Sequence, residues 1–190
     1  MYDSWEVLKK DCVKCEKCEL SKTRNNVVFG VGIENAEVLF IGEGPGEQED
    51  LSGEPFVGRA GQLLDKFLAS VDLDRKTNIY IANIVKCRPP QNRDPLPVEQ
   101  EACIDWLREQ VRLMHPKIVV CLGRISAQRL ITPDFKVTVQ HGEFINKNGI
   151  LFMGTFHPAA LLRDPRRKPE AFEDFLKLRE KIKEIGEKTY

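Results

Sequence analysis

Four of the six cysteines in this 190-residue chain are spaced to bind something. Cys15-x2-Cys18 places two thiolates on one turn, a common beginning for a metal site. Cys87 and Cys103 offer a second pair, one in a proline-dense loop and one in the helix expected after it. Gathering the four would clasp the N-terminal segment to that loop. Zinc and an iron–sulfur cluster both use such a set, and the lack of a nearby histidine favours the cluster. Cys121 lies inside an apolar run and reads as core.

The second concentration of chemistry is residues 38–61. Val38, Leu39, Phe40 and Ile41 form an apolar run closed by Gly42. A loop follows in which Gly42, Gly44, Gly46, Gly53, Gly58 and Gly61 alternate with Glu43, Glu47, Glu49, Asp50 and Glu54. Glycines let backbone approach a ligand closely, as at phosphate and nucleotide sites. This loop lacks the Gly-Lys-Ser/Thr ending of a P-loop, and it is longer and more acidic than a dinucleotide-binding turn. Carboxylates beside a single aromatic, Phe56, suit a catalytic pocket that stacks a flat ligand.

Alternating strands and helices must position these groups. Residues 4–16 read as a helix N-capped by Ser4, and helical spacing returns over 61–71 with Leu64, Phe67, Leu68 and Val71. A strand at 79–82 enters the loop Asn83–Pro97, whose prolines leave little backbone freedom to lose on ordering. Pro97 suits the first position of a helix reaching His115, and Ile118–Leu122 is a third buried strand. Residues 135–153 read as a β-meander with strands at 135–139, 144–145 and 150–153, followed by His157 and a closing helix at 169–186. The alternation predicts a mainly parallel sheet with helices on both faces. Ligands then sit beyond the carboxyl ends of the strands, so the glycine loop, the Asn83 loop and His157 should meet on one rim.

The balance of 29 basic and 29 acidic side chains argues against a protein that coats nucleic acid by charge alone. Basic residues nevertheless collect in loop-like stretches, as at Arg163, Arg166, Arg167 and Lys168. No apolar run approaches a membrane span, and Met1-Tyr-Asp-Ser-Trp lacks the basic start and apolar core of a secretory signal. The expected location is the cytoplasm.

Three stretches together resemble the family 4 uracil-DNA glycosylases. They are Gly42-Glu-Gly-Pro-Gly-Glu-Gln-Glu-Asp50 with Gly53-x-Pro-Phe-Val-Gly58, Asn83-Ile-Val-Lys-Cys-Arg-Pro-Pro-Gln-Asn-Arg93, and His157-Pro-Ala-Ala-Leu-Leu-Arg163. The resemblance implies a single three-layer α/β/α domain over 1–190, with a central, mainly parallel four-stranded sheet. It implies a 4Fe–4S cluster on Cys15, Cys18, Cys87 and Cys103, with Cys12 an extra cysteine beside that register. The implied reaction hydrolyses the bond between uracil and deoxyribose, leaving an abasic site and free uracil. Gly42, Gly44, Phe56 and Asn83 would bind the flipped base; Glu43, His157, Asn92 and Glu49 are the catalytic candidates. Leu161, Leu162 and Arg163 would contact DNA, with Leu161 and Leu162 as a wedge. Implied partners are uracil-containing DNA, double- or single-stranded, for a monomer, with a sliding clamp as a candidate protein partner. Two other classes fit parts of the pattern: a non-catalytic iron–sulfur module, which leaves the acidic pocket unexplained, and a nucleotide-binding enzyme, which the missing P-loop lysine disfavours.

Overall fold

The computed structural model describes residues 1–190. Six strands, β1 (Val31–Gly32), β2 (Val38–Gly42), β3 (Ile79–Asn83), β4 (Ile118–Leu122), β5 (Phe144–Lys147) and β6 (Ile150–Thr155), form one sheet in the order β1-β3-β2-β4-β6-β5. The four central strands are parallel, while β1 and β5 add antiparallel to the two edges. The sheet is therefore six-stranded and mixed, not four-stranded. The strand expected at 144–145 is β5, which pairs at one edge; β1, at the other, is only two residues long, too short to leave a pattern in the sequence.

β2, β3 and β4 are buried along their whole length, as their unbroken apolar runs require. Alternate residues feed two cores. Leu39, Ile41, Tyr80, Ala82, Val119 and Cys121 pack with α1 (Trp5–Cys12) and α4 (Pro97–Met114). Val38, Phe40, Ile79, Ile81, Ile118 and Val120 pack on the opposite face, with α3 (Arg59–Ala69) and α8 (Lys168–Ile185). This is the three-layer arrangement. Ser4 caps α1 by accepting the Val7 N–H, but the helix stops at Cys12, leaving Cys15 and Cys18 in the following turn.

Two segments differ from expectation. Residues 47–52 of the glycine loop form a short helix, α2 (Glu47–Ser52), with acids in its first turn where the helix dipole favours them. The first strand expected in the meander is instead a helix, α6 (Val137–Gln140). Its Val-Thr-Val sequence suits a strand, but β5 already occupies the edge of β6, and the Gln140 side chain takes the Lys136 N–H. The hairpin that follows does form: Asn148 and Gly149 both have positive φ, as a two-residue turn between β5 and β6 requires.

Candidate active site

One open pocket of about 730 Å³ lies at the carboxyl ends of β2, β3, β4 and β6. Glu43, Phe56, Asn83, Asn92 and His157 all line it, so the three loops do meet on one rim.

Asn83, the last residue of β3, is buried, and its Oδ1 is the one buried side-chain polar atom in the structure without a hydrogen-bond partner. An orphaned buried acceptor costs about 1–3 kcal/mol, so this one marks a position kept open for a donor. Its neighbours are Gly42 and the ring of Phe56. A Cβ on Gly42 would lie 2.4 Å from Asn83 Oδ1 and 2.6 Å from Phe56 Cζ, so only glycine leaves the recess between them empty. Phe56 is itself buried and has φ +53°, a left-handed conformation rare for a bulky residue.

His157 closes the opposite wall, with its ring 5.7 Å from that of Phe56. It is the N-cap of α7 (Pro158–Arg163), and its Nδ1 accepts the Ala159 N–H at 3.1 Å. An accepting Nδ1 leaves the proton on Nε2, so the neutral ring is a hydrogen-bond donor there. Removal from water, reinforced by the charge of Arg163, lowers its pKa to about 4, and the ring is neutral at physiological pH. Gly123, with φ +93°, lets β4 end against this residue; a Cβ there would lie 2.7 Å from His157 Cβ.

The acids of the glycine loop separate into different roles. Glu49 is fully engaged by backbone: Oε1 accepts the N–H groups of Val57 and Gly58, and Oε2 accepts that of Gly46. Asp50 is buried and accepts from the Asn25 N–H, the Asn25 side-chain amide and the Asn26 N–H. Glu47 is exposed beside Arg88 at 3.8 Å. Glu43 alone combines a half-buried position on the pocket wall with a carboxylate that no protein group hydrogen-bonds. Burial, with a further push from Asp94, raises its pKa to about 7 against the opposing charges of Arg124 and Arg163.

On the proline loop, Gln91 and Asn92 both have φ of 55°, and Asn92 Oδ1 accepts from Arg88 Nε at 2.8 Å. Among the pocket residues not singled out from sequence are Asp94 and Arg124, joined across the mouth at 2.5 Å. The available signal was positional, because Arg124 follows the carboxyl end of β4 as the other site residues follow theirs. Leu161, expected at the DNA, does not reach the surface. It is buried in the core beneath α7 because the helix turns that face inward, which leaves half-buried Leu162 and exposed Arg163 toward solvent.

Cys15, Cys18, Cys87 and Cys103 line a separate small cavity with Trp106, Arg24 and Lys86. Cys12 is not in its wall; it is fully buried in the core at the end of α1. Three cavity sulfurs already accept hydrogen bonds: Cys15 from Trp106 Nε1 at 3.2 Å, Cys103 from the Lys86 N–H at 3.3 Å, and Cys87 from Arg24 Nη1 at 3.4 Å. No three His, Cys, Asp or Glu side chains converge on one point as the ligands of a single ion would. The four thiols instead surround a space, with N–H donors turned toward the sulfurs. Lys86 is fully buried with no carboxylate partner, so its charge also suits an anionic occupant.

A three-layer α/β fold with its pocket at the strand ends, walled by Asn83, Phe56, Glu43 and His157, defines the class of protein: the sequence model of the Uracil DNA glycosylase superfamily matches residues 29–180. The chain is 44% identical over 187 residues to a type-4 uracil-DNA glycosylase of Archaeoglobus fulgidus, covering 94% of this chain and 93% of that one. It is 40% identical to the type-4 enzyme of Sulfurisphaera tokodaii, covering 94% and 84%, and 39% identical to that of Thermotoga maritima, covering 95% and 96%. The chain belongs to the type-4 uracil-DNA glycosylase family.

Proposed function

We propose that this protein excises uracil from DNA by hydrolysing its N-glycosidic bond, leaving an abasic site. The observation that carries this reading is the unpartnered Asn83 Oδ1 in a recess kept open by Gly42. An asparagine amide presents an acceptor and a donor side by side, the complement of uracil N3–H and O4. Cytosine presents the reverse pattern, so a fixed Asn83 rejects it. A base within a duplex is out of reach, and flipping it costs a few kcal/mol. Stacking on Phe56 and pairing with Asn83 offset that cost.

Departure of the base leaves positive charge on the sugar and negative charge on uracil. The neutral His157 ring donates its Nε2–H to uracil O2, and this bond strengthens as charge develops there, which is differential stabilisation of the transition state. Glu43, ionised, faces the sugar, where its charge stabilises the cation and its free oxygens orient the attacking water. The water's oxygen bonds to the sugar carbon, its proton passes to Glu43, and uracil leaves with the electron pair of the broken bond. Glu49 acts through the loop whose amides it gathers. Asn92, held by Arg88, retains its amide N–H groups for a water or phosphate oxygen. Leu162 meets the base stack, and Arg163 with the neighbouring Arg166, Arg167 and Lys168 meets phosphates of uracil-containing DNA.

We also assign a 4Fe–4S cluster to Cys15, Cys18, Cys87 and Cys103. Its contribution is structural, a cross-link between the N-terminal segment and the proline loop that carries Asn92.

A labelled oligonucleotide containing one uracil, incubated with the protein and EDTA and then treated with alkali, tests the activity. Breakage at uracil, and none where thymine or cytosine replaces it, is the expected result. An intact strand from protein carrying its assembled cluster would overturn the assignment.

A further inference from the structure

We infer that Arg75, which lies outside the pocket, is a positioning residue for the base-stacking ring of Phe56. The inference rests on the reading that Phe56 stacks the flipped base.

Phe56 adopts φ +53°, a conformation that a bulky residue keeps only where the surroundings over-determine it. The surroundings that do so come from two directions. Gly61, on the first turns of α3, packs against the Phe56 carbonyl so closely that a Cβ there would lie 1.8 Å from its oxygen. Arg75, in the turn between α3 and β3, donates Nη1 to the Pro55 carbonyl at 2.7 Å and Nη2 to the Phe56 carbonyl at 3.0 Å. The same guanidinium is anchored from behind by Asp65 Oδ1, at 3.1 Å from Nε and 2.7 Å from Nη2. Its side chain is only 11% exposed, so the fork is held in one place.

Two successive carbonyls taken by one planar fork fix the peptide between them, and so the direction in which the Phe56 side chain leaves the backbone. That direction sets the ring against Asn83 on one side and His157 on the other. Lysine carries the same charge but not the fork, so it cannot hold both carbonyls and the carboxylate in this geometry. Nothing in the local sequence marks this role, because Arg75 follows Phe56 by 19 residues and reaches it only through the fold.

A double-mutant cycle on Arg75 and Phe56 tests the inference, read as single-turnover excision rates with the folded state checked by circular dichroism. Phe56→Ala and Arg75→Ala should each slow excision about 10- to 100-fold. Arg75→Lys should recover only part of the loss. The double variant should be no slower than Phe56→Ala alone, since Arg75 acts through that ring. Asp65→Asn, a change at a half-exposed position, should give a smaller loss that also vanishes in the Phe56→Ala background, and it keeps the test available if Arg75→Ala does not fold. Losses that multiply in the double variants would overturn the role of Arg75 while leaving the stacking reading intact. A Phe56→Ala protein as fast as the wild type would overturn the stacking reading, and this inference with it.

Discussion

The Asn83 amide lies so close to Gly42 that the hydrogen on the Gly42 Cα stands where any side chain would meet Asn83 Oδ1, 2.4 Å away. The two residues are neighbours in register on β2 and β3, so the relation is set by strand pairing and not by loop conformation. The floor of the pocket is thus as rigid as the sheet beneath it.

Gly42→Ala should fill the recess and push against the two side chains that line it. We expect the folded protein to excise uracil about 100-fold more slowly, because the methyl displaces both Asn83 and Phe56 from their positions. Single-turnover rates on uracil-containing DNA measure this. A rate within twofold of wild type would show that the recess is not where the base sits.

The raised Glu43 pKa predicts a pH limb. The ionised form is the active one, so excision should fall as pH drops through about 7. Glu43→Gln should be slow at every pH and lack that limb. Asp94 pushes the Glu43 pKa up, so Asp94→Asn should move the limb to lower pH. A pH–rate profile of the three proteins is the measurement, and an unmoved limb in both variants would remove Glu43 from the role.

Serine at Cys15, Cys18, Cys87 or Cys103 should each diminish the bound iron, from about four atoms per chain, together with the visible absorbance and thermal stability. Serine at Cys12 or Cys121 should leave iron in place, because neither lines the cavity. Iron analysis of purified proteins decides between the sets. Iron lost with Cys12 and kept with Cys15 would shift the ligand register by three residues.

Glu37 predicts a separate acid lability. Burial pushes its pKa up, but the Lys188 and Glu187 N–H groups, Lys117 and Thr189 outweigh that and hold it at about 2. A carboxylate pKa below its unfolded value contributes stability above the unfolded pKa, and that stability is lost as pH falls toward the folded one. Glu37→Gln should therefore cost about 3 kcal/mol in urea unfolding at neutral pH, narrowing as pH drops from about 4.5 to about 2. The tail over 186–190, which these contacts hold, should become open to proteolysis. Equal stability of the two proteins at neutral pH would refute this.

Much of the design was legible in the chain because it is carried by local pattern. The apolar runs at 38–41, 79–82 and 118–122 can be little else than buried strands, and the glycine-rich and proline-dense stretches that follow them had to open at one end of a parallel sheet. The cysteine pairs were readable for the same reason, since their spacing is a covalent property of the chain. The helix at 137–140 was not, because a Val-Thr-Val sequence becomes a strand only if an edge is free to pair with it.

What the tertiary structure alone decided is which polar group faces what. Sequence placed five acids in one loop, but only the fold could assign Asp50 to Asn25 and Asn26, Glu49 to the amides of 46, 57 and 58, and leave Glu43 unpartnered. Sequence likewise could not separate buried Leu161 from Leu162, nor bring Arg75 to Phe56 or Arg124 to Asp94. Residue type and spacing determine what an element can be and what chemistry it carries. Hydrogen-bond partners and desolvation depend on groups distant in the chain, so they exist only once the layers have packed.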